Sequence, residues 1–232
     1  MNYKIYDRVI SLIGLDNFNK IKDKTILIVG LGGVGGTACE ALFRCGFTNL
    51  VLIDFDKVDY SNLNRQILFN ENDVGKFKSI CAKKHLGLIN KDNNVFTFNL
   101  KVNEHSLDDI LKKFRIDFII DAIDDVNGKI EIAKVATVNN IPFLMSMGMA
   151  NKFDPGLIKI MRLDKTTQDP LAKKIRYEIK KNGLNTKDIM CVCSIETLNQ
   201  CIERKKLSSV IFPPSSAGLN IAKYVFSYFI NK

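Results

Sequence analysis

The chain has 232 residues, 46% of them hydrophobic, and a formal net charge of +9. This length supports one sizeable core with a small appended lobe, and no apolar run approaches the roughly 18 residues of a membrane span, so no membrane partner is expected. The N-terminus has no signal-peptide pattern, and the six cysteines lack zinc-ribbon spacing; a reducing cytoplasm suits them better than an oxidising compartment.

Residues 5–21 place apolar side chains at helical spacing, and residues 1–24 are read as a helical lead-in and dimer arm. Thr25–Val29 is apolar, branched and non-alternating, as a doubly buried strand should be. Glycines follow at 30, 32, 33, 35 and 36, then an expected helix over 37–45 and a second strand over 50–53 that ends on Asp54. Next come a helix over 75–90, a strand over 95–100, and a helix over 106–114 with Ser106 as its cap. Residues 117–121 form the fourth strand and run into Asp124 and Asp125; 129–138 read as helix and 142–147 as the fifth strand. The regular alternation predicts an α/β fold, a Rossmann-like doubly wound and mostly parallel sheet.

Residues 25–150 make the nucleotide-binding half, and 151–232 an irregular C-terminal extension carrying substrate and dimer elements within the same domain. The extension reads as a strand over 158–162, a polar loop, a helix over 171–181 and an extended stretch over 189–193. Residues 194–209 read either as a mobile loop or as a short helix over the site. Residues 210–219, with two prolines, break the chain before a last helix over 217–230.

Strand, glycine-rich turn, helix, strand and acid form a nucleotide-binding unit. Glycines let the backbone approach phosphate, the helix start offers free N–H groups, and the acid accepts from ribose hydroxyls. The glycines alone favour a hydride-transfer enzyme. Asn62, Asn64, Arg65, Gln66, Lys78 and Asp124 reverse that preference, because they add two cations, several amides and a carboxylate around one anion-binding turn. Attack on an α-phosphate needs such a set: cations offset charge on the phosphoryl oxygens while an acid holds Mg²⁺. Taken singly, Arg65 and Lys78 would be surface ion-pair residues, and Asp121 and Asp124 loop caps.

Gly30-Leu31-Gly32-Gly33-Val34-Gly35, Asp54-Phe55-Asp56, Asn62-Leu63-Asn64-Arg65-Gln66, Val74-Gly75-Lys76-Phe77-Lys78 and Asp121-Ala122-Ile123-Asp124 occur in that order, and together they resemble the E1-like family of ATP-dependent adenylating enzymes. The resemblance covers nearly the whole chain. It implies that Gly30, Gly32, Gly33 and Gly35 hold the ATP phosphates and Asp54 the ribose. Asn62, Arg65 and Lys78 would contact phosphate, Asp56, Asn64 and Gln66 complete the nucleotide set, and Asp124 binds Mg²⁺. Arg8, in Tyr6-Asp7-Arg8, falls where family members send an arginine into the partner subunit's site, which implies a homodimer.

Sulfur-carrier activators of this family commonly carry two CxxC pairs, which are absent here. The stretches Ser146-Met147-Gly148-Met149-Ala150-Asn151-Lys152, Asp154-Pro155, Lys165-Thr166-Thr167-Gln168-Asp169-Pro170-Leu171-Ala172 and Pro213-Pro214-Ser215-Ser216-Ala217-Gly218 instead resemble the branch that dehydrates threonylcarbamoyladenosine at position 37 of tRNA. That likeness implies an acyl-adenylate intermediate, tRNA as partner, and a monovalent cation (Na⁺ or K⁺) near residues 146–152 and Asp169; a sulfur-transfer protein is a further candidate partner that the sequence does not identify. The alternative is adenylation of the Gly-Gly tail of a ubiquitin-like sulfur carrier. The basic runs Lys173-Lys174-Ile175-Arg176 with Lys180-Lys181, and Arg204-Lys205-Lys206, would hold tRNA phosphate. Cys191, Cys193 and Cys201 read as partly buried strand and loop residues, with a thiolate relay as the competing role.

Overall fold

The computed structural model of the chain describes residues 3–197 and 208–231. Seven strands form one sheet: β1 (Thr25–Val29), β2 (Asn49–Ile53), β3 (Asn94–Phe98), β4 (Phe118–Asp121), β5 (Phe143–Ser146), β6 (Ile158–Arg162) and β7 (Met190–Ser194). Their order is β3-β2-β1-β4-β5-β7-β6. Every pairing is parallel except that of β6 with β7, so the expected mostly parallel sheet is present. The helices are α1 (Asp7–Ile13), α2 (Leu15–Lys22), α3 (Gly33–Arg44), α4 (Lys78–Ile89), α5 (Glu104–Lys113), α6 (Val126–Val138), α7 (Pro170–Lys181) and α8 (Phe212–Ile230).

The period of two along a strand divides the core between the faces. Ile26 and Ile28 of β1, with Leu50 and Leu52 of β2, pack against Leu42 and Phe43 of α3 and Ile221 and Val225 of α8. Leu27, Val29, Val51 and Ile53 point the other way, onto Leu107 and Ile110 of α5 and Ile132 and Val135 of α6. A third cluster joins β5 and β7 to α6 and α7 through Met145, Cys191, Cys193, Ala133 and Ile175. Both faces are therefore covered, which is why the central strands read as unbroken apolar runs. Among the described residues no helix is long and apolar enough to cross a membrane.

Several element starts differ from the sequence reading. The helix expected over 37–45 begins four residues earlier, at Gly33, because its glycine-rich first turn fits against the end of β1 despite glycine's poor helix propensity. The helix expected from residue 75 begins at Lys78: Gly75 has φ +82°, and Phe77 is extended and bridged to Lys57. Ser106 is not the cap of α5. Asn103 caps it, accepting from Ser106 N–H at 3.0 Å, while Ser106 Oγ accepts from Asn103 N–H at 2.9 Å. The prolines at 213 and 214 do not separate α8 from what precedes it. They lie in its first turn, where their missing N–H groups have no intrahelical partner to lose.

α8 and α3 cross at close range. A β-carbon on Gly218 would lie 2.5 Å from the Val34 carbonyl oxygen and 2.6 Å from Thr37 Cβ. Gly87, in α4, has nothing within 4 Å of such a carbon. Gly218→Ala should therefore destabilise the fold by about 1–3 kcal/mol through overpacking, whereas Gly87→Ala should stabilise it by about 0.5–1 kcal/mol. Urea titration of the two variants checks the opposite signs; shifts in the same direction would contradict the packing described here.

Candidate nucleotide site

β1 has β2 on one side and β4 on the other, and the chain leaves these neighbours toward opposite faces of the sheet. Such a division opens a crevice at the carboxyl ends of the strands. The turn after β1 fills one side of it. Gly30 has φ +89°, and a β-carbon there would lie 2.8 Å from the Ala122 carbonyl oxygen, just past β4. At Gly35 it would lie 1.9 Å from the Gly30 carbonyl oxygen. The backbone is held by Gly30 N–H to Ile53 O and Ala122 N–H to Val29 O, both at 2.8 Å. α3 starts here, so the N–H groups of Gly33, Val34 and Gly35 have no partner within the helix and carry its positive dipole end.

Asp54 locks this turn. Its Oδ2 accepts from Leu31 N–H at 2.7 Å and its Oδ1 from Asp56 N–H at 2.8 Å. Burial pushes the Asp54 carboxyl up, and Lys78 and the two N–H donors oppose the shift. Asp56 in turn accepts from Lys78 Nζ at 2.9 Å, and its carbonyl accepts from Lys78 N–H at 3.0 Å. Lys78, at the start of α4, is buried while Asp56 is half exposed.

The loop carrying Asn62 to Gln66 crosses the start of α3. Asn62 Oδ1 accepts from Asp59 N–H at 3.2 Å and closes a capping box. Arg65 is half-buried, its Nη1 donating to Ser61 O at 2.7 Å and Asn64 Oδ1 at 2.8 Å. Asn64 Nδ2 reaches Ser209 O at 3.0 Å. The Arg65 carbonyl lies 3.1 Å from a β-carbon placed on Gly33, and Gln66 Nε2 lies 3.8 Å from one on Gly32. Gln66 Oε1 is buried without a hydrogen-bond partner. Asp124, beyond β4, is exposed and makes no hydrogen bond or ion pair among the described residues. An open glycine cradle, free helix N–H groups, cations and an unpaired carboxylate suit a nucleotide polyphosphate with Mg²⁺. Arg8 stands exposed on α1 and is not bonded to this cluster.

Lys129 escaped the sequence reading. It is fully buried in α6, with Nζ 2.9 Å from Asp121 Oδ1 and 2.7 Å from Ser146 O. Burial pushes the Asp121 carboxyl up, and Lys129 opposes it. The available signal was helical spacing, since Lys129 shares the inward side of α6 with Ile132, Ala133 and Ala136. Asp169 caps α7 through Ala172 N–H at 2.9 Å. Its Oδ2 is buried and unpartnered, 3.2 Å from a β-carbon placed on Gly148.

The basic run on α7 divides. Lys173, Lys174, Lys180 and Lys181 are exposed, but Arg176 is half-buried and donates to Thr166 O at 2.8 Å and to Thr166 Oγ1. Arg176 is thus a packing residue rather than a free phosphate contact. The run 204–206 and Cys201 lie outside the described residues.

Residues 6–179 match the ThiF family. The chain belongs to that family. It is 32% identical over 213 residues to the tRNA threonylcarbamoyladenosine dehydratase of Bacillus subtilis, covering 88% of this chain and 83% of that protein. It is also 32% identical over 181 residues to the second such dehydratase of Saccharomyces cerevisiae, covering 75% of this chain but only 39% of the yeast protein. Crystal structures of the E. coli tRNA N6-threonylcarbamoyladenosine dehydratase with ATP and with AMP superpose with a TM-score of 0.92 at 28% identity, covering 99% of this chain and 95% of that one.

Cys191 and Cys193 are fully buried in β7 beneath α7, more enclosed than the sequence suggested. Burial pushes both thiols up to about 12. Unfolded thiols ionise near 9.0, so the folded form holds these protons longer and loses stability as pH rises from about 9. At pH 8 both should resist iodoacetamide in the folded protein and react fully in urea, as read by peptide mass spectrometry. Rapid labelling of either in the folded state would restore the thiolate relay.

Proposed function

We propose that this chain catalyses the ATP-dependent dehydration of threonylcarbamoyladenosine in tRNA. The observation that carries this reading is the likeness along 99% of the chain to the E. coli dehydratase in its ATP and AMP complexes. The crevice supplies the matching chemistry. The threonyl carboxylate attacks the α-phosphorus of ATP, the bond from that phosphorus to the bridging oxygen breaks, and pyrophosphate leaves. The carbamoyl nitrogen then attacks the activated carbonyl, loses its proton, and AMP departs as the ring closes. The second step is intramolecular, so proximity supplies much of its rate and no cysteine nucleophile is required.

The free N–H groups of Gly33, Val34 and Gly35 receive phosphate oxygens, and Lys78, positioned by Asp56, stands beside them. Arg65 turns from Ser61 and Asn64 toward the phosphoryl group as negative charge develops there. Asn62, Asn64 and Gln66 orient the nucleotide, and the ribose meets the Asp54–Asp56 segment. Mg²⁺ at Asp124 would offset charge on the phosphates and the departing pyrophosphate. The unpaired Asp169 Oδ2 beside Gly148 suits a monovalent cation that stiffens the 146–152 loop.

The reading includes a homodimer with Arg8 reaching the partner's crevice. Its support is that α1 buries none of its residues, while Leu12 is 83% exposed and Leu15 54%. Apolar side chains so exposed on a lead-in helix call for a covering surface.

Lys78→Ala and Arg65→Ala should each lower tRNA-dependent AMP release by about 10²-fold or more, with tRNA affinity nearly unchanged. Full activity in both variants, with folding verified by thermal melting, would remove these residues from the chemistry. Subunits carrying Arg8→Ala mixed with subunits carrying Asp124→Ala should regain activity, because a hybrid dimer holds one site with both residues. No recovery after subunit exchange has been demonstrated would exclude the arginine acting in trans.

A further inference from the structure

We propose that the outer face of α7 docks RNA, with Tyr177 stacking on an unpaired base and the surrounding lysines holding the flanking phosphates. α7 buries Ala172, Ile175 and Ile179. On its opposite side Lys173, Lys174, Tyr177, Lys180 and Lys181 are all exposed. Tyr177 occupies the centre: the four lysines lie three or four residues to either side of it, the spacing that makes residues neighbours on a helix surface. Its side chain is 65% exposed, and its ring pairs with no other aromatic ring among the described residues. None of the four lysines makes an ion pair or side-chain hydrogen bond there. The single acid of the helix, Glu178, is half-buried to one side, and Arg176 is turned away to Thr166.

Four uncompensated cations within two turns repel one another and attract a polyanion. An acidic protein or a phospholipid surface would satisfy the charge but leaves no role for the exposed ring face. Unstacked nucleotides use both, because bases stack on aromatic side chains while cations follow the backbone. The placement agrees. Asp169, the cap of α7, lies against Gly148 after β5, so the helix begins on the sheet edge that carries the nucleotide crevice. Tyr177 lies eight residues further on, about 12 Å along the axis. This inference rests on the reading of tRNA as substrate.

The test is fluorescence anisotropy of the full chain with a labelled anticodon stem-loop carrying threonylcarbamoyladenosine, across a salt series. Tyr177→Ala should weaken binding about tenfold and Tyr177→Phe should bind nearly as the parent does. Each of Lys173→Ala and Lys180→Ala should reduce the salt slope by about 1. ATP binding and melting temperature should be unchanged in all four. If Tyr177→Ala binds RNA as the parent does while the parent still dehydrates it, the docking face is wrong and the activity stands. If the parent neither binds nor alters the RNA, both readings fail. Loss of binding to polyglutamate or to anionic phospholipid vesicles, with RNA affinity retained, would assign the face to another partner and overturn the proposal.

Discussion

Residue 35 has no room for a side chain: a β-carbon there would lie 1.9 Å from the Gly30 carbonyl oxygen. Much of the site follows from that constraint. With glycine in place, the first turn of α3 fits against the end of β1, and its unpartnered N–H groups open onto the crevice between β1 and β4. Asp54 then fixes the turn through Leu31 N–H, and Asp56 carries the linkage to Lys78 at the start of α4. On the outer side Gly218 lets α8 approach α3 closely enough to brace the same turn. Asp54, Asp56 and Lys78, from distant parts of the chain, are thereby preset relative to one backbone loop, and such preorganisation suits charge stabilisation in a transition state.

The opposite wall has its own anchor. Lys129 and Asp121 are both fully buried, and the lysine also binds the Ser146 carbonyl. Burying the two charges costs much of what their attraction returns, so the pair is better understood as fixing an arrangement than as adding net stability. It ties the end of β4, from which the chain runs to Asp124, to the end of β5, from which it runs to Gly148 and the unpaired Asp169 oxygen. The segment leading to Asp124 and the loop after β5 are thus held by one ammonium group, and removing that group would leave Asp121 buried without its counter-ion.

Most of the sheet is legible in the sequence: the central strands are covered on both faces and leave unbroken apolar runs, as at Thr25–Val29, while the edge strand Ile158–Arg162, with Lys159 and Arg162 exposed, also falls where it is expected. Helix starts were less legible. Glycines open α3 and prolines open α8, residues whose interior propensities argue against helix although a first turn tolerates both. The residues assigned to nucleotide binding stand out as a set through motif spacing, but their couplings do not. Asp56 meets Lys78 across 22 positions, and Arg176 meets Thr166 across 10. Such pairings depend on how loops return over the sheet. Lys129 was missed because a lysine in a helical stretch is ordinarily solvated, and only the tertiary contacts with Asp121 and Ser146 show otherwise.

The most direct test of the account is nucleoside mass spectrometry of threonylcarbamoyl-modified tRNA incubated with the protein and Mg-ATP, using mild digestion so that the ring stays closed. The modified adenosine should lose the mass of one water, only when ATP is present, with AMP and pyrophosphate formed alongside. An unchanged nucleoside from a folded, ATP-binding protein would contradict it, and adenylation of a carrier protein's Gly-Gly tail would then be the activity to examine.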